Sequence, residues 1–182
     1  TASGVTRFNV SKKKMENVII PVPPLPIQEE IVRILDKFAE LTAELTAELT
    51  KRKQQYQYYR DELFDFGDKV ELVPLKDWAI NCDAKRKPVT KEKREAGSYP
   101  YYGASGIVDY VKDYIFDGDY LLVSEDGANL LARNTPIAFS ISGKNWVNNH
   151  AHILQFSDIT LQKYVEIYLN SIDLTKYIST AA

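Results

Sequence analysis

A set of side chains in this sequence combines cationic groups with hydroxyl, amide and imidazole groups, mostly close to glycine, proline or asparagine. Lys and Arg can neutralise phosphates, whereas the neutral polar groups can donate or accept hydrogen bonds on base edges. Neighbouring glycines permit a close backbone approach. These residue types in loops predict contacts to a nucleic-acid duplex, and the candidates are Arg7, Lys85, Arg86, Lys87, Tyr102, Ser105, Arg133, Lys144, Asn148 and His150.

Ordinary interpretations stay open for the same segments. Residues 101–106 can form a plain glycine-rich hairpin, residues 85–94 can be a solvated basic loop, and His150 beside asparagines is more often structural. Ser105, His150 and an aspartate could be combined into a hydrolytic triad, but only by choosing each member freely. We therefore expect no catalytic residue in this chain.

The charge distribution indicates a local rather than a global affinity for phosphates. The chain of 182 residues has 23 Lys and Arg against 25 Asp and Glu, a net charge of −2. Residues 85–94 nevertheless hold a basic cluster, whose members are Lys85, Arg86, Lys87, Lys91, Lys93 and Arg94 against Glu92. Because duplex affinity comes largely from neutralised phosphates, we expect modest binding unless other subunits add contacts.

Other chemistries leave no pattern in the sequence. We find no Asn-Pro-Pro-aromatic methyltransferase motif, no glycine-rich phosphate loop and no paired His spacing, so we predict no metal and no cofactor. The single cysteine, Cys82, cannot form an internal disulfide and suits a reducing cytoplasm. No apolar run approaches the roughly 20 residues that span a bilayer, so we expect a cytoplasmic protein without a membrane segment.

Short apolar runs between the polar segments predict strands. These runs are residues 78–80, 107–111, 120–124, 136–140 and 152–156. Residues 160–172 instead repeat apolar positions at helical spacing. The pattern predicts a compact, mostly antiparallel sheet with one helix packed on it, in a domain that begins near Val70. Together with the long helix described next, the predicted fold class is α+β.

A long helix precedes this domain. Four prolines between Pro21 and Pro26 should prevent a helix from starting before Pro26, and Gly67 ends the periodic pattern. Between them, apolar residues step by threes, fours and a seven, as in the narrow seam of a coiled coil. We predict that a partner helix covers this seam, which consists of Ile31, Leu35, Phe38, Leu45, Leu49, Tyr56, Tyr59 and Leu63.

The helix contains a tandem Thr-Ala-Glu-Leu repeat, at residues 42–45 and 46–49. At about 1.5 Å per residue, each copy lengthens the helix by about 6 Å, close to two base-pair steps of a duplex. The helix would then act as a ruler between two modules. A solvated helix with a duplicated surface motif is the alternative interpretation.

Several blocks of this sequence resemble one known family. Residues 20–28 (IPVPPLPIQ) and 31–36 (IVRILD) resemble the central region of the specificity subunits of type I restriction-modification systems. The repeat resembles the subgroup in which copy number sets the spacer of a two-part DNA target. Residues 99–107, 116–123 and 146–151 resemble body motifs of a target recognition domain.

The resemblance implies a domain organisation and a function. Residues 1–19 would be the tail of a target recognition domain, residues 20–67 a conserved helical spacer and residues 68–182 a target recognition domain body. The chain would bind double-stranded DNA, recognise one half of a bipartite target and dock the modification (methyltransferase) subunits. The restriction subunit would join through that complex, and catalysis would belong to those other subunits.

The same resemblance implies a fragment or half-subunit. A complete family member has two recognition domains and two helical regions, whereas this chain has one of each. We therefore expect an antiparallel homodimer in which the tail of one copy completes the recognition domain of the other. Two alternatives stay open: a helical scaffold for modification subunits that binds DNA weakly, and the recognition module of a fused single-chain restriction enzyme.

Overall fold

The computed structural model describes residues 10–67, 70–125 and 135–177. Its internal contacts divide the chain into a first unit, Thr1–Arg60, and a second unit, Asp61–Ala182. The described residues form one long helix, two four-stranded sheets and shorter helices, which confirms the predicted α+β fold class. The assignment of residues 1–19, 20–67 and 68–182 to three functional segments stays a prediction.

Two helices precede the sheets, the single turn α1 (Lys12–Met15) and the long helix α2 (Leu25–Phe64). The carbonyl of Pro24 accepts hydrogen bonds from the N–H groups of Ile27 at 2.9 Å and Gln28 at 3.2 Å. Because the carbonyl of Pro24 accepts the first hydrogen bonds of the helix, α2 begins at Leu25, one residue earlier than predicted. Its 40 residues continue without a break, which corresponds to a length of about 60 Å. Among the described residues, no helix is long and apolar enough to cross a membrane.

The described part of the second unit contains eight strands followed by a helix. The strands are β1 (Ala79–Asn81), β2 (Ala96–Gly103), β3 (Gly106–Val111), β4 (Phe116–Asp117), β5 (Tyr120–Ser124), β6 (Ala138–Ile141), β7 (Lys144–Val147) and β8 (Ala151–Phe156), and the helix is α3 (Ile159–Ser171). The first sheet has the order β1-β8-β5-β6 and is antiparallel throughout. The second sheet has the order β3-β2-β7-β4, with a parallel pairing between β2 and β7.

The sequence predicted a single sheet, whereas the structure has two. The chain changes sheets between β7 and β8, because Trp146 pairs with Tyr101 of β2 while Leu154 pairs with Leu121 of β5. The core includes fully buried residues of both sheets and of the chain beside them, among them Leu121, Leu122, Ile137, Val147 and Ile153.

The helix α3 packs on the first sheet and confirms the helix predicted at residues 160–172. Asp158 caps its first turn by accepting hydrogen bonds from the N–H groups of Thr160 and Leu161. Near its end, the Asn170 side chain accepts from the N–H group of Ile137 at 2.8 Å. Asp158 and Asn170 therefore accept hydrogen bonds from backbone N–H groups that would otherwise lack a partner at the helix start and at the edge of the sheet.

Candidate nucleic-acid interface

Residues 83–94, which we call the basic strap, cross the second sheet with little regular structure. Only two short 3-10 turns occur in them, Asp83–Lys85 and Lys91–Lys93. The Trp146 indole N–H donates to the carbonyl of Lys87 at 2.6 Å, and the Tyr101 hydroxyl accepts from the N–H group of Val89 at 3.0 Å. Two aromatic side chains of the sheet therefore fix the backbone of the strap.

The two arginines of the strap point into the fold. Arg86, whose side chain is only 16% exposed, contacts the Glu125 carboxylate at 2.6 Å and donates to the carbonyl of Ala151 at 2.9 Å. Arg94 lies 4.3 Å from the centre of the Tyr101 ring and pairs with a carboxylate of the neighbouring strand β3. Both guanidinium groups therefore make structural contacts within the fold, and the DNA contact of Arg86 stays a prediction. The strap lysines Lys85, Lys87, Lys91 and Lys93 are exposed.

Asp83 anchors the start of the strap to β8. Its carboxylate lies 2.6 Å from Nδ1 of His152, accepts from the N–H group of Ile153 at 2.8 Å, and lies 3.5 Å from the Arg86 guanidinium. Burial alone would raise the pKa of this carboxyl, but hydrogen bonds from His152, Ile153 and Asn81 outweigh it and lower the pKa. Asp83 therefore carries a negative charge at neutral pH.

Residues at the ends of β2, β5 and β7 are joined by hydrogen bonds at one end of the two sheets. Ala104 and Ser105 form the turn between β2 and β3, and the N–H group of Asn148 donates to the carbonyl of Tyr102 at 3.1 Å. The N–H group of Glu125 donates to the carbonyl of His150 at 2.9 Å. Arg86 also reaches this end, since it donates to the carbonyl of Asn149 at 3.3 Å.

We call the exposed residues of this end the tip surface, and they are Lys85, Lys87, Ser105, Asn149 and His150. Two cationic groups, two neutral hydrogen-bonding groups and an imidazole thus come from three separate stretches of the chain. The negative charge of Glu125 is matched by Arg86 beneath them. The arrangement can contact phosphates and base edges at the same time.

Two further predicted contact residues support the tip surface from below. Tyr102 is half-buried, its ring lies 6.1 Å from that of Phe139, and burial raises the pKa of its hydroxyl. Asn148 is buried, and its side-chain oxygen accepts from the N–H group of His150 at 2.8 Å. Tyr102 and Asn148 therefore position the loop residues around them.

Lys144 lies apart from the tip surface. It begins β7, whereas Asn148 follows the end of that strand, about 13 Å away along an extended chain. Its ammonium group lies 4.6 Å from the centre of the Tyr114 ring, and a hydrogen bond to Tyr114 raises the pKa of the lysine. The structure therefore does not join Lys144 to the other candidates.

Some predictions concern residues outside the described ranges. Arg7 and Arg133 lie there, as do residues 1–9 of the predicted tail. The structure also brings to the tip three residues outside the list of candidate contacts, namely Asn149 and the structural partners Glu125 and Trp146. By residue type, Asn149 was one of the donor and acceptor residues of the Asn-Asn-His run, and Glu125 was an acid able to accept from cytosine, whereas their contacts with Arg86 could not be predicted.

The helix α2 presents a different kind of surface, because none of its residues is buried. Every residue of the predicted seam is exposed, and Leu45 is 70% exposed. At about 100° per residue around the helix axis, Ile27, Ile34 and Leu41 lie within about 40° of Leu45, whereas Leu35 lies about 80° from it. We call the resulting face the apolar stripe, and its residues are Ile27, Ile31, Ile34, Phe38, Leu41, Leu45, Leu49, Tyr56, Tyr59 and Leu63.

Threonines in the repeat and directly after it use their hydroxyl groups within the helix, so the face next to the apolar stripe is apolar as well. The hydroxyls of Thr42, Thr46 and Thr50 each donate to the carbonyl four residues earlier, at 2.7 to 2.9 Å. Their hydrogen-bonding capacity is thus used within the helix.

Within the ranges that the structure describes, no cluster of His, Cys, Asp and Glu could hold a metal ion.

Comparison with known proteins finds matches in one family. A family model described as "Type I restriction modification DNA specificity domain" matches residues 1–52 and 67–181. The EcoprrI specificity subunit of Escherichia coli is 34% identical over 98% of this chain, which corresponds to 45% of that protein. The EcoR124I/EcoR124II specificity subunit of Escherichia coli is 43% identical over 59% of this chain and 28% of that protein.

A solved structure shows a similar fold. The S subunit of a type I restriction-modification system from M. genitalium aligns with 81% of this chain and 41% of its own length, with a TM-score of 0.55 and 16% identity. The chain therefore spans less than half the length of each of these relatives. Since the family model covers most of the chain, including the start of α2 and the strands, the chain belongs to the type I restriction-modification DNA specificity domain family.

Proposed function

We propose that this chain is a non-catalytic DNA-recognition module that reads one half of a bipartite duplex target. The observation that carries this proposal is the tip surface, where exposed lysines and neutral polar groups from separate loops are held in one place. The family match and the names of the relatives, which are specificity subunits, support the same function.

The two kinds of side chain at the tip surface have different roles in this proposal. Lys85 and Lys87 neutralise phosphates, because they flank Arg86 on a backbone that Trp146 and Arg86 hold in place. Ser105, Asn149 and His150 face the base edges, where hydroxyl, amide and imidazole groups can discriminate between base pairs. The lysines then supply affinity and the neutral groups supply sequence preference.

The helix α2 sets the distance between two half-sites and docks the modification subunits. Its exposed apolar stripe needs a covering partner, and we propose that a second copy in antiparallel orientation provides it. A two-fold symmetric dimer prefers two inverted half-sites, so the preferred target would be an interrupted palindrome. The modification subunits would bind outside the stripe and bring the restriction subunit with them.

A titration with duplex DNA tests the recognition role. We expect a preference of at least about a thousandfold for selected bipartite duplexes over random ones. Replacing Lys85 and Lys87 with alanine should weaken binding to all sequences alike and reduce the slope of log affinity against log salt by about 2. The matched control replaces Lys112 and Lys163, exposed lysines of the second unit away from the tip surface, and should leave both quantities unchanged.

The outcome also separates recognition from a purely scaffolding role. If selection enriches no sequence and the two lysine pairs behave alike, the chain does not read DNA through the tip surface. In that case α2 would be the functional part of the chain, and the proposal would be wrong.

A further inference from the structure

We infer that two copies of α2 pair antiparallel with Leu45 at the two-fold axis. This inference rests on the proposed homodimer and adds its register. Residues of the apolar stripe match in pairs that lie equally far before and after Leu45. Ile27 faces Leu63 of the second copy, Ile31 faces its Tyr59, Ile34 faces its Tyr56, and Leu41 faces its Leu49.

The exposure of these side chains permits such pairing. All of them are exposed along a helix that buries none of its residues. They lie within about 40° of Leu45 around the helix axis, so one straight face carries them all. In the paired arrangement, the branched aliphatic side chains before the axis meet tyrosines or leucines after it, and the pairs near the axis are leucines.

Arg52 distinguishes antiparallel from parallel pairing. It lies on the same face of α2 as the apolar stripe, and its guanidinium Nε lies 2.8 Å from a carboxylate oxygen of Glu48. A parallel dimer in register would place Arg52 against Arg52 of the second copy, which brings like charges together. The antiparallel register places Arg52 against Phe38 of the second copy, where the guanidinium can lie on an aromatic face. The one polar position of the stripe therefore meets an aromatic ring.

The register also gives the tandem repeat a structural role. Leu45 lies in the middle of residues 42–49, so the two-fold axis passes through the repeat. Adding or removing one copy changes the length of the helix at the axis and turns one arm of the stripe by about 40° relative to the other. The two arms of the dimer keep their pairs, and their separation changes by about 6 Å.

Cysteine cross-linking tests the register in the intact chain, since the native Cys82 is buried. A disulfide needs Cα atoms closer than about 7 Å. We expect Leu45→Cys to form a covalent dimer under mild oxidation, and a mixture of Leu41→Cys and Leu49→Cys chains to form a heterodimer. The matched control is Gln54→Cys, an exposed position about 180° from Leu45 around the helix axis, which should remain uncoupled, as should the wild type.

A second pair of variants tests the Arg52 contact. Phe38→Arg should weaken dimerisation at least tenfold, because it places two arginines opposite each other at both symmetric sites; tenfold corresponds to about 1.4 kcal/mol. Combining it with Arg52→Phe should restore most of the affinity, since the cation and the ring are then only exchanged.

Each contrary outcome has a distinct meaning. Preferred coupling of Leu45→Cys with Leu49→Cys chains would place the axis near Ala47 and overturn this register, as would failure of the double variant to recover. Light scattering that shows only monomers at micromolar concentration would overturn the homodimer itself. Sequence-specific DNA binding that persists in either case would leave the recognition role of the tip surface intact.

Discussion

The sheets of the second unit and the helix α2 use apolar side chains in opposite ways. The sheets bury Leu121, Leu122 and Ile153 completely, whereas the apolar side chains of α2 are exposed from Leu25 to Leu63. Full burial of such a side chain contributes about 1.5 to 3 kcal/mol. The second unit therefore carries its own stability, while α2 can gain that contribution only from a partner. The contrast supports the proposed role of the helix as an interface.

Replacing one buried and one exposed apolar side chain with alanine should show the largest effect of this contrast. Ile153→Ala removes a fully buried side chain and should lower the free energy of unfolding by about 2 to 5 kcal/mol in urea titrations. Leu49→Ala removes an exposed side chain of α2, so it should leave that value almost unchanged and weaken dimerisation instead. Equal losses of unfolding free energy in the two variants would show that α2 is part of the same core.

The strap offers the same contrast at a smaller scale, between buried arginines and exposed lysines. Arg86→Ala removes hydrogen bonds between charged groups and should cost about 1.5 to 3 kcal/mol of unfolding free energy. Arg86→Lys should recover only part of it, because lysine cannot reproduce the planar fork that contacts Glu125 and the carbonyl of Ala151. Lys87→Ala is the control and should change DNA affinity without changing stability. The opposite assignment of effects would make Arg86 a DNA contact.

Replacement of Asp83 should have the smallest effect on stability, and this effect should depend on pH. Its folded-state pKa lies below its ordinary value of 3.8, so its stabilising contribution is present above that pH and is lost as pH falls through the folded-state pKa. We expect Asp83→Asn to be less stable than the wild type by on the order of 1 kcal/mol at pH 7. The gap should close in acid denaturation profiles below pH 3.8, the ordinary carboxyl value. A gap that widens towards low pH would contradict the assigned network.

Much of the fold could be predicted from local sequence. The strands at residues 107–111, 120–124 and 152–156 and the helix at residues 160–172 carry their own periodicity, and the structure confirms each within one or two residues. The division into two sheets could not be predicted in this way. It depends on a parallel pairing of Tyr101 with Trp146, and no local pattern specifies which distant strand β7 selects.

The candidate site shows the same limit. The cluster of lysines and the polar loop residues were visible by residue type, but the separate role of Arg86 was not. Its partners Glu125 and Ala151 lie 39 and 65 residues away in sequence. For Lys144, the type was right for a phosphate contact, yet its strand places it far from the tip surface. Residue type predicts what a side chain can do, and tertiary contacts decide whether it is available.

Deletion of Thr46 to Leu49 tests the central claim most directly, which is that a helical rod fixes the distance between two DNA-reading surfaces. Preferred sites would be selected from randomised duplexes for the wild type and for the deletion variant. We expect the same half-site bases in both and a spacer shorter by about one or two base pairs in the variant, because four residues of helix span about 6 Å. Altered half-site bases with an unchanged spacer would contradict it.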